Sequence, residues 1–355
     1  MDSIRVALIG YGTGGAVFHA PLISVAPGLE LAAIVTGNPE RQAGASARYP
    51  EAEILDTAER VWSGGYDLAV ITTPNRQHVP LARAALDAGI PVVVDKPVAP
   101  TSAEARSLAG GPPVIPFHNR RWDGDFRTVS RLVRDGSLGR VLRFESRFTR
   151  WRPQIKAGWK ETADPAEAGG VLYDLGSHLI DQAITLFGPP TDVFAELDVR
   201  RPGAEAVDDA FVALTHVGGV RSHLRMSAVS ADLGPRFRVL GDHAAYTTYG
   251  LDGQEAQLRD GLIPGGDGYG VTPPESYGLL GTPGHTGPVP TEPGRYQDFY
   301  PQVAAAVRGD APPPVTLDDA VAGLEVIETA VRGTPVTGAG RRVARRGGRA
   351  GRRTR

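Results

Sequence analysis

The stretch from Ile4 to Gly15, IRVALIGYGTGG, decides how the rest of this chain is interpreted. It begins with an apolar, β-branched run, Val6 to Ile9, which has the length of a buried parallel strand. Three glycines follow at the spacing G-x-G-x-x-G, namely Gly10, Gly12 and Gly15. In a dinucleotide site the first permits a tight turn, the second lets the backbone approach a pyrophosphate, and the third lets the following helix pack on the strand.

The segment after these glycines is helix-like, and a helix N-terminus presents unpaired N–H groups and a partial positive charge to phosphates. We therefore expect a nucleotide to bind here. The residues expected to contact it are Gly10, Tyr11, Gly12, Thr13, Gly14 and Gly15. The alternative is a glycine-rich strand-to-helix turn that binds nothing.

The composition sets limits on the class of protein. The 355 residues have room for two domains with separate cores. There is no cysteine, which excludes disulfides, zinc–thiolate sites and a thiol nucleophile and fits a reducing cytoplasm. The N-terminus leads straight into a strand, and no apolar run has membrane-spanning length, so we expect a cytoplasmic protein without a membrane partner. No metal site is expected.

Charge is distributed unevenly along the chain. Residues Thr337 to Arg355 contain eight arginines and no acid, which leaves 30 basic and 40 acidic residues in the remainder. An acidic body argues against nucleic-acid binding by the folded part. The segment 337–355 lacks apolar residues to bury and is predicted to be a disordered basic tail. The alternative is that this tail contacts polyanions.

Beyond the glycine loop, strand-like and helix-like segments alternate. Short apolar runs predict further strands at Leu31 to Val35, Glu53 to Leu55, Asp67 to Thr72, Pro91 to Val94 and Val114 to Phe117. Helices are expected between them near Thr57 to Trp62, Val79 to Ala88 and Ser102 to Leu108. This α/β alternation is typical of a doubly wound parallel sheet, so we predict a dinucleotide-binding Rossmann domain over residues 1–120.

The end of the second strand bears on cofactor choice. NAD sites usually place an acidic residue there to hold the ribose 2′-hydroxyl. Here the strand is followed by Thr36 and Asn38, which can donate hydrogen bonds, and then by Arg41, which can reach a 2′-phosphate. These residues favour NADP, with NAD still possible. The alternative is that Arg41 is a solvated helix residue and Glu40 meets the ribose.

Two later motifs resemble a known family. One is T-P-N-x-x-H, formed by Thr73, Pro74, Asn75 and His78, and the other is Asp95-Lys96-Pro97 after a strand. This combination resembles the Gfo/Idh/MocA oxidoreductases. The resemblance implies that Thr73, Pro74, Asn75 and His78 contact NAD(P), and that Lys96 lies beside the nicotinamide and the reacting oxygen. The alternative for Lys96 is an ordinary lysine at the start of a loop.

The second domain is predicted to cover residues 121–336. A helix near Asp125 to Arg134 is followed by the alternating run Val141 to Phe148, which is typical of a half-covered strand. Asp174 and His178 are four residues apart, so on a helix they share a face and the carboxylate can orient the imidazole. By themselves they equally fit an N-cap and a buried polar contact. In the family, however, GG-x-x-x-D-x-G-x-H is the substrate-site signature, and this sequence matches it at Gly169 to His178.

Further strands are expected at Val193 to Val199, Ala210 to His216, Val220 to Ser227 and Arg236 to Gly241. The resemblance implies an α+β domain with an open, mostly antiparallel sheet that mediates homo-oligomerisation. A Gly/Pro-rich passage, about Gly250 to Pro293, is predicted to be a functional or oligomer-related loop. Two helices, near Tyr296 to Val307 and Leu317 to Val331, are expected to close this domain.

Some details resemble one subgroup of the family, the NADP-dependent scyllo-inositol dehydrogenases. They are the FH-x-P piece at Phe18, His19 and Pro21 and the NRRWD piece at Asn119 to Asp123. One departure is Gly37-Asn38, where that subgroup tends to have a Ser-Arg-like pair. The candidates for substrate contacts are Asn119, Arg150, Arg152 and Trp159, of which Arg152 and Trp159 equally fit packing at the rim of a site.

The resemblance implies reversible hydride transfer between NAD(P) and a carbinol carbon of a cyclic polyol or sugar, with an inositol-like substrate favoured. His178 is the candidate base, supported by Asp174, and Lys96 would stabilise the same oxygen. Two other classes remain open. One is a cofactor-binding sensor or regulator of the same fold without turnover, and the other is an interaction protein that acts through the basic tail.

Overall fold

Six parallel strands form the first sheet of the computed structural model, which describes residues 3–155 and 158–338. They are β1 (Ile4–Ile9), β2 (Leu29–Val35), β3 (Glu53–Leu55), β4 (Leu68–Ile71), β5 (Val92–Asp95) and β6 (Val114–Phe117). Their order, β3-β2-β1-β4-β5-β6, is the doubly wound order with a switch point between β1 and β4. The strands β4 and β6 are buried along their whole length because helices cover both faces, which confirms the predicted Rossmann sheet.

Two of the four α-helices described in this domain begin directly after a residue whose side chain caps them. A π-helical turn, Gly14–His19, continues into α1 (Ala20–Val25). The others are α2 (Pro39–Arg48), α3 (His78–Asp87) and α4 (Ser102–Arg106). Asn38 caps α2 and Thr101 caps α4, each by accepting a hydrogen bond from a backbone N–H. The helix expected near Thr57 to Trp62 is shorter, a single 3-10 turn at Ala58–Arg60.

The second sheet has nine strands within the described part of the chain. They are β7 (Val141–Thr149), β8 (Pro190–Val199), β9 (Asp209–His216), β10 (Arg221–Ser227), β11 (Phe237–Gly241), β12 (Ala245–Thr248), β13 (Gly278–Thr282), β14 (His285–Val289) and β15 (Thr337–Gly338). The order is β14-β13-β12-β11-β7-β10-β9-β8-β15. Only the β7–β10 and β8–β15 pairs are parallel among these neighbours, so the predicted open, mostly antiparallel sheet is confirmed.

One face of the second sheet is covered and the other is open. The covering helices are α5 (Gly124–Arg134), α6 (Ser177–Phe187) and α9 (Leu317–Gly333), whose apolar side chains share a core with the strands. On strands of the same sheet, Leu142, Phe194 and Leu279 are exposed. Alternation along each strand therefore separates a core side from a solvent side.

The passage from Gly250 to Pro293 differs from the predicted loop. It contains α7 (Gln254–Arg259), and β13 and β14 form a hairpin that extends the sheet. The sequence of this passage does not resemble strands, because β13 and β14 include glycine and proline, residues that strands usually exclude. At the other end, Thr337 and Gly338 pair with Asp198 and Val199, so these two residues differ from the predicted tail. Residues 339–355 lie outside the described ranges.

The two closing helices do more than complete the second domain. Phe299, Tyr300 and Val303 of α8 (Phe299–Arg308) are buried in the core beneath the first sheet. In α9, Val321 packs with the first sheet and Ile327 packs with the second. The helix α8 therefore packs beneath the first sheet and α9 packs against both sheets, so the two helices do not belong to the second domain alone. Within the described ranges, no helix is both long enough and apolar enough to span a bilayer.

Candidate active site

A cavity of about 1080 Å³ lies between the two domains, at the carboxyl ends of β1, β4 and β5. Parallel sheets bind their ligands at this edge, next to the switch point. Most of the sequence-predicted site residues line it: Gly10, Tyr11, Gly12, Thr13, Gly14, Thr36, Arg41, Thr73, Pro74, Asn75, His78, Lys96, Asn119, Arg150, Arg152, Asp174 and His178. Gly15 and Asn38 do not line the cavity. The side chain of Trp159 lies outside what the structure describes.

A different steric constraint explains the presence of each glycine in the loop. Gly10 has a φ of 102°, and a Cβ there would lie 2.9 Å from the Thr72 backbone. A Cβ on Gly15 would lie 2.2 Å from the Gly10 carbonyl oxygen, so Gly15 allows the helix to pack on the strand. A Cβ on Gly12 would meet nothing closer than the Arg41 Nη1, at 3.8 Å. Gly12 therefore leaves its backbone open to the cavity, as a pyrophosphate cradle requires.

A second observation shows that the cavity edge fits a ligand with polar groups. Thr73 lines the cavity, and its buried hydroxyl has no hydrogen-bond partner among the described residues. The neighbouring Thr72 hydroxyl, by contrast, donates to the Gly10 carbonyl at 2.7 Å. A buried polar atom without a partner destabilises a protein unless a ligand or water satisfies it. The loop and Thr73 together therefore fit a bound dinucleotide.

The end of β2 carries no carboxylate next to the glycine loop. Thr36 is buried there, and Arg41 lines the cavity from the first turn of α2. Asn38 faces its own helix instead, because its Oδ1 accepts from the Arg41 backbone N–H at 3.0 Å. Asp56 and Glu59, which follow β3, line the same end of the cavity and were missed by sequence reasoning. The strand order could have indicated them, since β3 lies directly beside β2.

Side chains of the T-P-N-x-x-H motif connect neighbouring segments of the chain around the cavity by hydrogen bonds. The His78 ring nitrogens lie 2.8 Å from the Pro97 carbonyl and 2.9 Å from the Thr73 carbonyl. This ring therefore ties the loop after β4 to the loop after β5. The Asn75 amide donates to the Glu167 carbonyl of the second domain at 2.6 Å. Both residues contribute to the cavity wall through a fixed backbone as well as through their side chains.

Lys96 reaches across the cleft to the second domain. It follows β5 directly, and its ammonium group donates to the backbone carbonyl of Asp174 and, at 3.1 Å, to the Asp174 Oδ1. Lys160 donates to the same oxygen at 2.7 Å, and the Arg150 guanidinium lies 3.9 Å from Oδ2. These cations outweigh the effect of burial and hold the pKa of Asp174 well below its usual range. Burial is the largest effect on Lys96 and lowers its pKa.

The predicted pairing of Asp174 with His178 is wrong. Within the described residues no hydrogen bond joins them, and Asp174 faces Lys96 and Lys160 instead. The physical reason is that Lys96, Lys160 and Arg150 attract the Asp174 carboxylate, while the backbone at Leu172–Gly176 is a π-helical turn rather than an α-helix. A spacing of four in the sequence cannot reveal this wider turn.

His178 lies at the start of α6, is 6% exposed and lines the cavity. Its ring meets the His118 ring edge-on, with the centroids 6.4 Å apart. Burial, followed by the charges of Lys96 and Arg120, lowers the pKa of His178 well below its usual value. The imidazole is therefore neutral at physiological pH, in the form that accepts a proton. The upward shift of the pKa that a paired carboxylate would produce does not occur.

The remaining substrate candidates differ in how firmly they are held. Asn119 is buried, and the Arg150 Cζ lies 4.8 Å from the centroid of the Phe148 ring. Arg152 is exposed at the cavity edge. Sequence reasoning missed three charged wall residues: Arg120, Lys160 and Glu255. Arg120 and Glu255 form an ion pair at 3.1 Å across 135 positions of sequence, a contact that no local pattern indicates.

A Rossmann-ordered sheet with an open glycine loop and a lysine, together with a histidine on the second domain across the cleft, is typical of a nucleotide-dependent oxidoreductase. Comparison with known proteins agrees. Residues 4–110 match the model of the oxidoreductase family with an NAD-binding Rossmann fold, and residues 126–247 match the GFO/IDH/MocA C-terminal domain. The chain belongs to the GFO/IDH/MocA oxidoreductase family.

Individual relatives extend along most of the chain. It is 39% identical to the uncharacterised oxidoreductase YdgJ of Escherichia coli, over 93% of this chain and 96% of that protein. It is 34% identical to the NADP⁺ scyllo-inositol 2-dehydrogenase IolW of Bacillus subtilis, over 93% and 94% respectively. The solved structure of the oxidoreductase yvaA from Bacillus subtilis superposes with a TM-score of 0.87 at 34% identity, covering 93% of this chain and 96% of the other.

Proposed function

We propose that this protein is an NADP-dependent dehydrogenase that acts on a carbinol carbon of a cyclic polyol or sugar, with inositol-like rings favoured and NAD as the alternative cofactor. One observation carries the proposal. Lys96 from the first domain and His178 from the second line the same cavity as the Gly10–Gly15 loop. The resemblance to IolW, whose name describes an NADP⁺-dependent scyllo-inositol dehydrogenase, supports the cofactor and the substrate class.

The cofactor would be held by the backbone of the glycine loop and by the Thr73 hydroxyl. When bound, it supplies the hydride chemistry at its nicotinamide. NADP is favoured because no acid follows β2 directly and the Arg41 guanidinium lies beside the position of Gly12. A 2′-phosphate there would meet a cation rather than a carboxylate. Asp56 and Glu59, at the same end of the cavity, are the residues by which NAD would be held instead.

The protein itself must hold the carbinol and move its proton. In the proposed mechanism the neutral His178 accepts the proton of the carbinol oxygen, and Lys96 donates a hydrogen bond to the same oxygen as negative charge develops. Asp174 acts on Lys96 as a positioning residue, because its carbonyl and carboxylate both accept from the ammonium group. This division gives each of the three residues a separate role.

We also propose a cytoplasmic homo-oligomer that associates through the open face of the second sheet. The support is the open face of that sheet, along which Leu142, Phe194 and Leu279 are exposed on three separate strands. Light scattering on the wild type and on Phe194→Lys tests this assembly. A larger species in the wild type that becomes a monomer in the variant is expected, and a monomeric wild type contradicts the proposal.

The function is tested with inositols, aldoses and ketoses by measuring the formation of NADPH from NADP⁺ and of NADH from NAD⁺ for each compound. Turnover of at least one cyclic polyol or sugar, with a higher kcat/KM for NADP⁺, is expected. Tight cofactor binding without turnover of any substrate would favour the sensor or regulator of the same fold. Equal or better use of NAD⁺ would overturn the cofactor assignment alone.

A further inference from the structure

The wall of the cavity formed by the second domain and Lys96 carries an excess of positive charge. Among the described residues, two carboxylates of the second domain line this wall, Asp174 and Glu255, and a third, Asp95, lines the cavity beside Lys96. Six cationic side chains line it: Lys96, Arg120, Arg150, Arg152, Lys160 and Arg259. Near the cofactor end, Arg41 lines the cavity together with Asp56 and Glu59, and Arg76 is paired with Asp164 and Glu167. The excess therefore lies where the substrate would bind.

The two carboxylates are already shared. Glu255 pairs with Arg120 at 3.1 Å and with Arg259 at 3.0 Å, and Arg120 has a second partner in Asp123 at 3.2 Å. Asp174 is approached by Lys96 at 3.1 Å, Lys160 at 2.7 Å and Arg150 at 3.9 Å. A single carboxylate cannot neutralise both Lys96 and Arg150. Asp95, beside Lys96, faces the first domain, since a Cβ on Gly14 would lie 2.8 Å from its Oδ2.

Arg150 and Arg152 carry most of the uncompensated charge. Within the described part of the chain no ion pair is formed by Arg152, whose backbone N–H is fixed to the Ala228 carbonyl at 2.7 Å. Burial lowers the pKa of Arg150, and the positive charge of Arg152 lowers it further against the opposing effect of Asp174. Two guanidinium groups thus lie close enough to repel each other at the edge of the cavity.

We propose that the substrate of this enzyme is an anionic polyol or sugar, whose carboxylate or phosphate is bound by Arg150 and Arg152. The inference rests on the proposed function and adds a requirement to it, because a neutral ring leaves this charge unbalanced. Guanidinium groups bind carboxylate and phosphate oxygens in a planar, two-point geometry. Arg150 is also held in place by its packing over Phe148, which reduces the entropy lost on binding.

The test compares substrates that differ only in the anionic group. We would measure kcat/KM with NADP⁺ for D-glucose, D-glucuronate and D-glucose 6-phosphate, and for myo-inositol and its monophosphate. Charge-assisted hydrogen bonds of this kind correspond to roughly ten- to hundredfold in affinity, so at least one anion should exceed its neutral partner by that factor. The advantage should decrease as ionic strength rises, because salt screens the attraction. D-Glucuronate against D-glucose 6-phosphate distinguishes a carboxylate from a phosphate.

Two variants test whether Arg152 at the cavity wall causes the preference for anionic substrates. Arg152→Gln should reduce the anion-to-neutral ratio of kcat/KM roughly tenfold, since one charge-assisted contact is lost. Arg221→Gln makes the same change at an exposed position outside the cavity and should leave the ratio unchanged. A ratio of one or below in the wild type, or an equal decrease in both variants, would overturn the proposal.

A binding measurement separates this proposal from the dehydrogenase assignment. Calorimetric titration of the NADPH complex with the same compounds requires no turnover. Tighter binding of an anion without NADPH formation in the kinetic assay would retain the anion site and reject the proposed function. Turnover of the neutral compounds with no tighter binding of either anion would retain the function and reject the anion site. Absence of measurable binding by every anion also rejects it.

Discussion

Lys96 and Asp174 join the two domains inside the cavity. The Lys96 ammonium donates both to the backbone carbonyl of Asp174 and, at 3.1 Å, to its Oδ1. The first residue follows a strand of the Rossmann sheet, and the second lies in the turn that leads into α6. The reactive end of the cleft is therefore assembled from two domains, and its lysine depends on a carboxylate 78 positions away in sequence.

This contact predicts that the pKa of Lys96 shifts in opposite directions in two variants. Asp174 stabilises the charged form of Lys96 and Lys160 destabilises it, so Asp174→Asn should lower the pKa of Lys96 and Lys160→Met should raise it. If the ammonium form is active, the alkaline limb of the kcat/KM profile moves to lower pH in the first variant and to higher pH in the second. A limb that stays in place in both variants shows that Lys96 is not the titrating group.

His178 should make activity insensitive to pH in the ordinary histidine range. Because burial and neighbouring cations lower its pKa well below its usual value, the imidazole stays neutral as the pH falls through about 6.5. Loss of oxidation rate should begin only at lower pH. His178→Ala should lower kcat roughly 10²–10⁴-fold and remove this acidic limb. An acidic limb that persists unchanged in His178→Ala assigns it to another residue.

The sequence predicted the first domain closely because its signals are local. The run Val6 to Ile9, the glycine spacing and the alternation of strands each depend on neighbouring residues. The contacts around Asp174 were not predictable in this way, since Lys96 and Arg150 come from distant elements and the π-helical turn at Leu172–Gly176 leaves no spacing signature. The hairpin of β13 and β14 was missed because its glycines and proline resemble loop residues.

Arg41 should determine the preference for NADP. Replacing Arg41 by Gln removes the cation beside the glycine loop and should raise KM for NADP⁺ roughly ten- to hundredfold, while KM for NAD⁺ changes little. Arg48→Gln is the matched control, because it lies on the same helix outside the cavity. An unchanged NADP⁺-to-NAD⁺ ratio of kcat/KM in Arg41→Gln would mean that the 2′-phosphate is not bound there.

The close packing of the glycine loop predicts that two alanine variants differ in their free energy of unfolding. Gly15→Ala places a Cβ 2.2 Å from the Gly10 carbonyl oxygen, so it should lower the free energy of unfolding and weaken cofactor binding. Gly44→Ala, in α2, meets nothing within 4 Å and should raise the free energy of unfolding by about 1 kcal/mol. Urea unfolding and NADPH titration measure both effects, and equal stability of the two variants contradicts the account.

Lys96 is the residue proposed to act on the reacting oxygen, and its role decides the mechanism. The direct measurement is kcat of Lys96→Ala with the best polyol or sugar of the panel, together with the Kd for NADPH. We predict that kcat falls roughly 10²–10⁴-fold while Kd stays within several-fold of the wild type, because Lys96 acts on the substrate oxygen rather than on the phosphates. A variant that keeps nearly wild-type kcat would contradict the proposed mechanism.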